Sequence, residues 1–301
     1  MIKKKTDTDL IIVILNWNSP EDTRECVESL LPQLQVGQKI IIVDNGSSDN
    51  SVEILHKTFP EIEILKNSLN LGFQGGMNVG IQEAIKQGAS SVMLLNCDTI
   101  ASPLMMRTLI NSSPKDASIV SPGIYFASNH NVLCSTGGTI NPVFLDIIHR
   151  KKITDFNSPL QLEFLPSHAW LVKTEVFKKE GLLDEIFFPL YYDDLDFCLR
   201  LKRKGYKLYL IPAAKIYHNV SMSVGGKNSP RERYLMARNS GYYFRKHMHL
   251  WQTPIIFVFR LGSGFLWTFR LLFSNNLAAI KTYWTGFFKG WFGKMPKPPI
   301  E

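Results

Sequence analysis

The chain has 301 residues, 45% apolar and 20% charged, which excludes a disordered segment or a collagen and suits one large α/β domain with an appendage. Its net charge of +8 is uneven: between Arg245 and Ile300 there are eight Lys/Arg and no Asp/Glu, so the remainder is neutral and the tail is basic. Four cysteines at 26, 97, 134 and 198, without Cys-x-x-Cys, exclude a disulfide scaffold and a zinc finger and suit a reducing cytosol. Lys3–Lys5 precede a short apolar run with no small-residue cleavage site, so no signal peptide is expected.

Leu10–Leu15 is a continuous apolar run, the pattern of a buried parallel strand. Ser19-Pro20-Glu21-Asp22 reads as a helix start with Ser as N-cap, followed by Cys26, Val27, Leu30, Leu31 and Leu34 at helical spacing. A strand at Lys39–Val43, a helix, and a strand at Ile62–Leu65 follow. Asn70–Gly76 then leads into a helix ending near Lys86, and Ser91–Leu95 is the fourth strand. A helix near 102–112 and a strand near 117–121 complete an alternating set, which predicts a parallel sheet with right-handed crossovers. Residues 122–165 read as irregular hairpins over one sheet edge. Lys173–Lys179 and the segment opening at Tyr192 read as helices, and Lys207–Ile211 as the last strand, with His218 beyond it.

In open parallel sheets ligands bind beyond the carboxyl ends of the strands. Asn16-Trp17-Asn18, Asp44-Asn45 and Asn96-Cys97-Asp98 fall there. Each alone reads as a turn; three at one edge read as a site. The Gly72, Gly75, Gly76, Gly80 series lacks both Gly-x-Gly-x-x-Gly and a Walker Gly-Lys-Ser/Thr, which counts against a dinucleotide oxidoreductase and a P-loop NTPase.

Five segments in order carry a family resemblance: Ile11–Asn18, Val43–Asp49, Asn70–Gly80, Leu94–Asp98 and Tyr192–Arg200. Together they resemble the family 2 glycosyltransferases, inverting enzymes of the GT-A fold, and within them bacterial rhamnosyltransferase-type enzymes of surface polysaccharide assembly. The resemblance implies a Rossmann-like, mostly parallel sheet flanked by helices. It implies a transferase domain over 1–245, with a nucleotide-sugar-binding half (1–121) and an acceptor-binding and catalytic half (122–245); composition alone sets the boundary near 245 and marks a basic, aromatic helical tail over 246–301. It also implies a nucleotide-sugar donor, dTDP-rhamnose or a UDP-sugar, and a glycan or lipid-linked glycan acceptor.

The resemblance places Asn16, Trp17, Asp44, Asn70, Gly76, Asn78 and Asn96 against the nucleotide-sugar, and a Mg²⁺ or Mn²⁺ ion at Asp98 and His218. Where the family often has Asp-x-Asp, this chain has Asn96-Cys97-Asp98, so one acid is an amide. Asp193 and Asp194 follow an aromatic run, Phe187 to Tyr192, suited to a sugar platform; a like-charged neighbour raises a carboxylate's pKa and makes it a better base. The family motif assigns the base to the second acid, Asp194. Asp196 and Arg200, four apart, read as a structural pair. Trp170 reads equally as core or acceptor platform, and Arg238-Asn239 resembles a motif of the same enzymes or a solvated helix face. A non-catalytic nucleotide-binding or membrane-scaffold protein of the same fold is the alternative, resting on Asn96. A nucleotidyltransferase lacks its triphosphate loop.

Thirteen aromatics lie between Trp251 and Phe292 among scattered cations, which favours an anionic membrane surface over nucleic acid as partner. Arg260 and Arg270 interrupt the apolar runs short of the ~18–20 residues a span needs. The expectation is an interfacial tail on the cytoplasmic face of the membrane, with Arg260, Arg270, Lys281, Lys289 and Lys294 toward lipid. The rival is a helical pair packed on the catalytic domain or a second subunit. A chain ending near His249 is expected to stay soluble.

Overall fold

In the computed structural model the described residues are 9–150, 152–219, 226 and 228–296. The elements run β1 (Leu10–Asn16), α1 (Pro20–Leu30), β2 (Gln38–Asp44), α2 (Ser51–Thr58), β3 (Glu63–Lys66), α3 (Gly72–Lys86), β4 (Ser91–Asn96), β5 (Thr99–Ala101), α4 (Met105–Asn111), β6 (Ala117–Phe126), β7 (Asn129–Ser135), β8 (Gly138–Ile140) and β9 (Ile147–His149). They continue with β10 (Leu160–Leu162), β11 (Ala169–Lys173), α5 (Thr174–Glu180), α6 (Asp193–Arg203), β12 (Lys207–His218), α7 (Pro230–His247), α8 (Thr253–Phe273) and α9 (Leu277–Phe292).

The expected sheet is present. β1 lies between parallel partners β2 and β4 with both faces covered, which is why its sequence is uninterruptedly apolar. The order is β10-β12-β6-β11-β4-β1-β2-β3, with β11 antiparallel to both neighbours and β12 parallel to β6. β8 and β9 form a separate hairpin. One core layer packs α1 and α4 on one sheet face; the other packs α3, α5 and α6 together with α7 and α9.

Three local expectations change. β6 runs on to Phe126 and β12 on to His218, because residues 212–214 bulge out of the ladder between Ile211 and Lys215 and pairing resumes beyond them. A proline cannot donate to a ladder, so Pro212 reads as a strand end although it only marks the bulge. His218 is therefore the last residue of β12, not a loop residue. Ser19 occupies the N-cap position of α1, but its side chain makes no capping bond; Thr23 Oγ1 donates to its carbonyl.

The compositional boundary near 245 falls inside α7. α9 returns to pack along α7 at backbone distance: a Cβ on Gly286 would strike the Tyr234 carbonyl, and one on Gly290 the Arg238 carbonyl. Tyr283, Phe287 and Trp291 are buried there, Trp291 stacked 6.2 Å from Phe244. Half of the tail is thus a buttress, and a chain cut after His249 would lose part of its core, contrary to expectation. α8 differs. With the preceding turn it spans Leu250–Phe273, 24 residues whose most apolar 18-residue stretch has a mean hydropathy of 1.5, long and apolar enough by length and composition to cross a membrane. Arg260 does not face outward: its guanidinium lies 5.3 Å over the Phe244 ring and 3.4 Å from Asp146 Oδ2.

Gly290→Val should destabilise the protein by roughly 1–3 kcal/mol through overpacking, while Gly262→Ala, where a Cβ meets nothing within 4 Å, should not. Chemical denaturation checks this; equal midpoints for wild type and Gly290→Val would mean that α9 does not pack on α7.

Candidate active site

The site grows from three parallel strand ends. β1 stops at Asn16, whose Nδ2 donates to Asp44 Oδ1 at 2.7 Å and to Ser47 Oγ at 3.2 Å, while Thr23 Oγ1 donates to its Oδ1 at 2.8 Å. Asp44 accepts two more bonds from Ser47, backbone N at 3.1 Å and Oγ at 2.6 Å. Both side chains are fully buried. Expected as nucleotide contacts, Asn16 and Asp44 lie one layer below the cleft, where they shape the loop after β2. Gly76 and Asn78 move the same way. The missing Cβ of Gly76 lets α3 approach Leu15 and Asn45. The Asn78 amide is spent on Leu183 N and O and on Glu185 Oε1.

What does line the first lobe, a cleft of about 450 Å³, includes Trp17, Asn18, Asn45, Asn70, Phe73, Asn96, Asp98, Leu190 and Arg231. Asn45 ties the lobe together: its Nδ2 donates to Asn70 Oδ1 and Gly72 O, and its Oδ1 accepts from Asn67 Nδ2 and Leu71 N. Trp17 is 37% exposed at the mouth, as a stacking platform needs to be. Arg231 was not foreseen. Its signal is a cation in the first turn of a helix, against the helix dipole, a placement that local energetics disfavour.

Asp98 Oδ2 and His218 Nε2 sit 3.3 Å apart. Burial lowers the His218 pKa, but the Asp98 carboxylate more than offsets this and the result is about 9. Among the described residues no three His, Cys, Asp or Glu converge on one point, and Asp98 and His218 stand as a pair. A carboxylate and an imidazole on one wall of the lobe fit a divalent cation that takes its other ligands from phosphate and water. His168, whose ring lies 4.5 Å from that of His218, was not foreseen; burial pushes its pKa down to about 4.

The second lobe, about 410 Å³, joins the first at Phe73, Asn96 and Leu190, and is walled by Asp146, Ile147, His149, His168, Asp193 and Asp194. Asp193 is buried, and burial first and the Asp194 charge second raise its pKa. Burial also raises that of Asp194, less far, because backbone N–H groups partly offset it; Leu195 N donates to its Oδ1 at 2.8 Å. The two carboxyl groups titrate as a pair, and both are harder to ionise than a solvated carboxylate.

Two features aim the pair. Tyr191 and Tyr192 are both left-handed, with φ of 77° and 72°, and swing the chain into α6. Asn239 of α7, fully buried, donates from Nδ2 to Phe187 O (2.7 Å), Leu190 O (2.8 Å) and Tyr191 O (3.2 Å), and Arg238 Nη2 donates to Phe188 O. The solvated-face reading of Arg238-Asn239 therefore fails. One turn along, Asp196 is fully buried and takes Arg200 Nε at 3.0 Å, as its spacing predicted, plus Lys246 Nζ and His247 Nε2, both at 2.6 Å. Burial alone would raise the Asp196 pKa; His247, Lys246 and Arg200 together hold it below the usual value. Trp170 is core, wholly buried and stacked 5.8 Å from Phe197.

The sequence profile of Glycosyl transferase family 2 matches residues 11–181. The low-salt glycan biosynthesis hexosyltransferase Agl10 of Haloferax volcanii is 25% identical over 96% of this chain and 93% of its own length. The dTDP-rhamnosyl transferase RfbF of Shigella flexneri is 22% identical over 80% of this chain and 81% of its own. Among solved structures, GalNAc-T7 with UDP, GalNAc and Mn²⁺ superposes with a TM-score of 0.62 at 15% identity, over 79% of this chain and 50% of that one. The fold is of the GT-A type.

Asn239→Ala removes the three bonds that fix the 187–191 carbonyls. If this acid pair takes part in the chemistry, its displacement by about 1 Å should lower turnover on the order of 10²-fold, whereas nucleoside diphosphate binding in the other lobe should change little. Steady-state kinetics beside calorimetric titration separate the two; unchanged turnover would show that Asn239 does not position the pair.

Proposed function

The chain belongs to glycosyl transferase family 2, and from that premise we propose that it moves a sugar, with inversion, from a nucleotide-diphospho-sugar to a glycan or lipid-linked glycan acceptor. The single observation that carries the reading is the pair of lobes meeting at Phe73, Asn96 and Leu190, with Asp98 in one and Asp194 in the other. An in-line displacement needs leaving group and attacking hydroxyl on opposite sides of the anomeric carbon, and two abutting lobes supply that arrangement.

Trp17, Asn45 and Asn70 line the part of the donor lobe suited to base and ribose, and Arg231 supplies a cation for the diphosphate. Asp98 and His218, the latter on giving up its proton, would hold a divalent ion, Mg²⁺ or Mn²⁺, which would supply further positive charge for the leaving nucleoside diphosphate. Asp194 takes the proton from the acceptor hydroxyl as that oxygen attacks. Burial raises the pKa of Asp193 as well, and two adjacent carboxyl groups resist ionising together, so one of the pair keeps a proton beside the base. Tyr191 and Tyr192 form part of the wall that keeps water from the anomeric carbon. The name of the Shigella relative favours dTDP-rhamnose as donor, and the UDP of the solved neighbour keeps a UDP-sugar in play. The outward apolar face of α8 and the acid-free tail favour peripheral attachment to the cytoplasmic membrane face, which puts a lipid-linked acceptor within reach.

Asp194→Asn preserves shape and removes basicity. Turnover with the dTDP-rhamnose or UDP-sugar that the wild type uses should fall by roughly 10² to 10⁴, with donor affinity near wild type. The wild-type product should carry the inverted anomer by NMR; a retained anomer, or near-normal turnover in the variant, would contradict the reading.

A further inference from the structure

The turn between β8 and β9 touches two different things. On one side Asp146, Ile147 and His149 wall the acceptor lobe. On the other the turn lies against α8: Gln252 Nε2 donates to Pro142 O at 3.0 Å and Val143 O at 2.9 Å, and the Phe144 and Phe259 rings are 4.7 Å apart. Arg260, reaching inward from α8, sits 3.4 Å from Asp146 and balances the one acid at this corner of the lobe.

The outer face of α8 and its leading turn carries an apolar stripe, interrupted only at Gly262-Ser263. Trp251, Ile255, Phe259, Leu266, Phe269 and Phe273 recur at steps of three, four or seven and are all exposed. Val143, 36% exposed on the turn, stands beside the stripe where Phe144 meets Phe259. No acid occurs between Glu232 and Glu301, while Arg270, Lys281, Lys289 and Lys294 are exposed around the apolar face. An apolar ridge on a segment whose charged side chains, up to Ile300, are all cations complements one surface above others, an anionic bilayer.

We propose that the β8–β9 turn is the second half of this membrane-docking surface, so that the acceptor lobe opens at the lipid surface and takes an amphiphilic acceptor, polar head in the lobe and apolar chain in the bilayer. The proposal rests on α8 facing the membrane. Val143 and Asp146 are three residues apart, a span of at most about 10 Å, comparable to the headgroup layer that flanks the hydrocarbon core on each side. A turn that inserts Val143 at the interface therefore leaves the Asp146 rim of the lobe among the headgroups. The Gln252 bonds and the Arg260–Asp146 contact tie that rim to α8.

Co-sedimentation of the full chain with vesicles of phosphatidylglycerol and phosphatidylcholine tests this. Val143→Asp should weaken binding roughly tenfold, through one repelled charge and one lost apolar contact, and Val143→Lys should bind as well as wild type or better. Val258→Asp, on the outer face of α8, should weaken binding at least as much. Val36→Asp, fully exposed just before β2 and thus at the opposite end of the sheet from the site, should change it less than twofold. If Val143→Asp matches Val36→Asp while Val258→Asp weakens binding, the turn does not dock and only α8 does. If Val143→Lys weakens binding as much as Val143→Asp, charge complementarity is wrong and the proposal falls. If wild type ignores the vesicles and instead self-associates in sedimentation velocity, a second copy covers α8 and both readings fall.

Discussion

One buried amide sets the direction of the acid pair. Two successive tyrosines in the left-handed region cost about 1–2 kcal/mol each, and a chain left to itself would relax out of them. Asn239 prevents this by donating to three carbonyls on the same short segment, Phe187, Leu190 and Tyr191. Each buried carbonyl that lost its partner would cost about 1–3 kcal/mol, so the left-handed turn is the cheaper state. The consequence passes down the chain: Tyr192 hands over to α6 at an angle that sends Asp193 and Asp194 into the second lobe, while Asp196 turns inward to Arg200, Lys246 and His247. Asn239 itself is fixed because α7 is clamped from behind by α9 through Gly286 and Gly290. Parts of the chain more than ninety residues apart thus bear on one pair of carboxylates.

His247 shows how finely that inner network is matched. Burial keeps its pKa below the ordinary value despite the Asp196 carboxylate beside it. A neutral imidazole can donate from Nε2 to Asp196 and accept at Nδ1 from Arg203 Nη1, 3.1 Å away, and both contacts are present. The Asp196 charge is then balanced by Lys246 and Arg200, and no buried cation is left over at His247.

The central sheet was legible because a strand covered on both faces must be apolar throughout, as Leu10–Leu15 is, and because strand ends in such sheets collect polar residues. The site was legible as a set of positions but not as a set of contacts. Asn16, Asp44, Gly76 and Asn78 stand where the motifs put them, yet their atoms face loops and helices, and only tertiary packing decides between a ligand and a neighbour. Asn239 was marked only as part of a motif with two readings, and Arg231 only by its place against a helix dipole, because an Asn or Arg on a helix does not say in sequence what it meets. The tail was half legible: its charge and aromatic content identified an apolar face, which α8 has, but spacing alone did not reveal that Gly286 and Gly290 let α9 approach α7 at backbone distance. β12 was cut short on paper by Pro212, since a bulge that resumes and a strand that ends look alike in sequence.

The most direct test of the account is the pH dependence of kcat/KM for the wild-type enzyme, measured with donor and acceptor at fixed ionic strength. A base must be ionised to act, and burial raises the pKa of both Asp193 and Asp194. Activity should therefore be full at neutral pH and fall as the pH drops through a midpoint clearly above about 4, the ordinary carboxylate value. A rate that stays flat down to that value would mean the base is an ordinary solvated carboxylate, and the buried, clamped pair would not be the catalytic one.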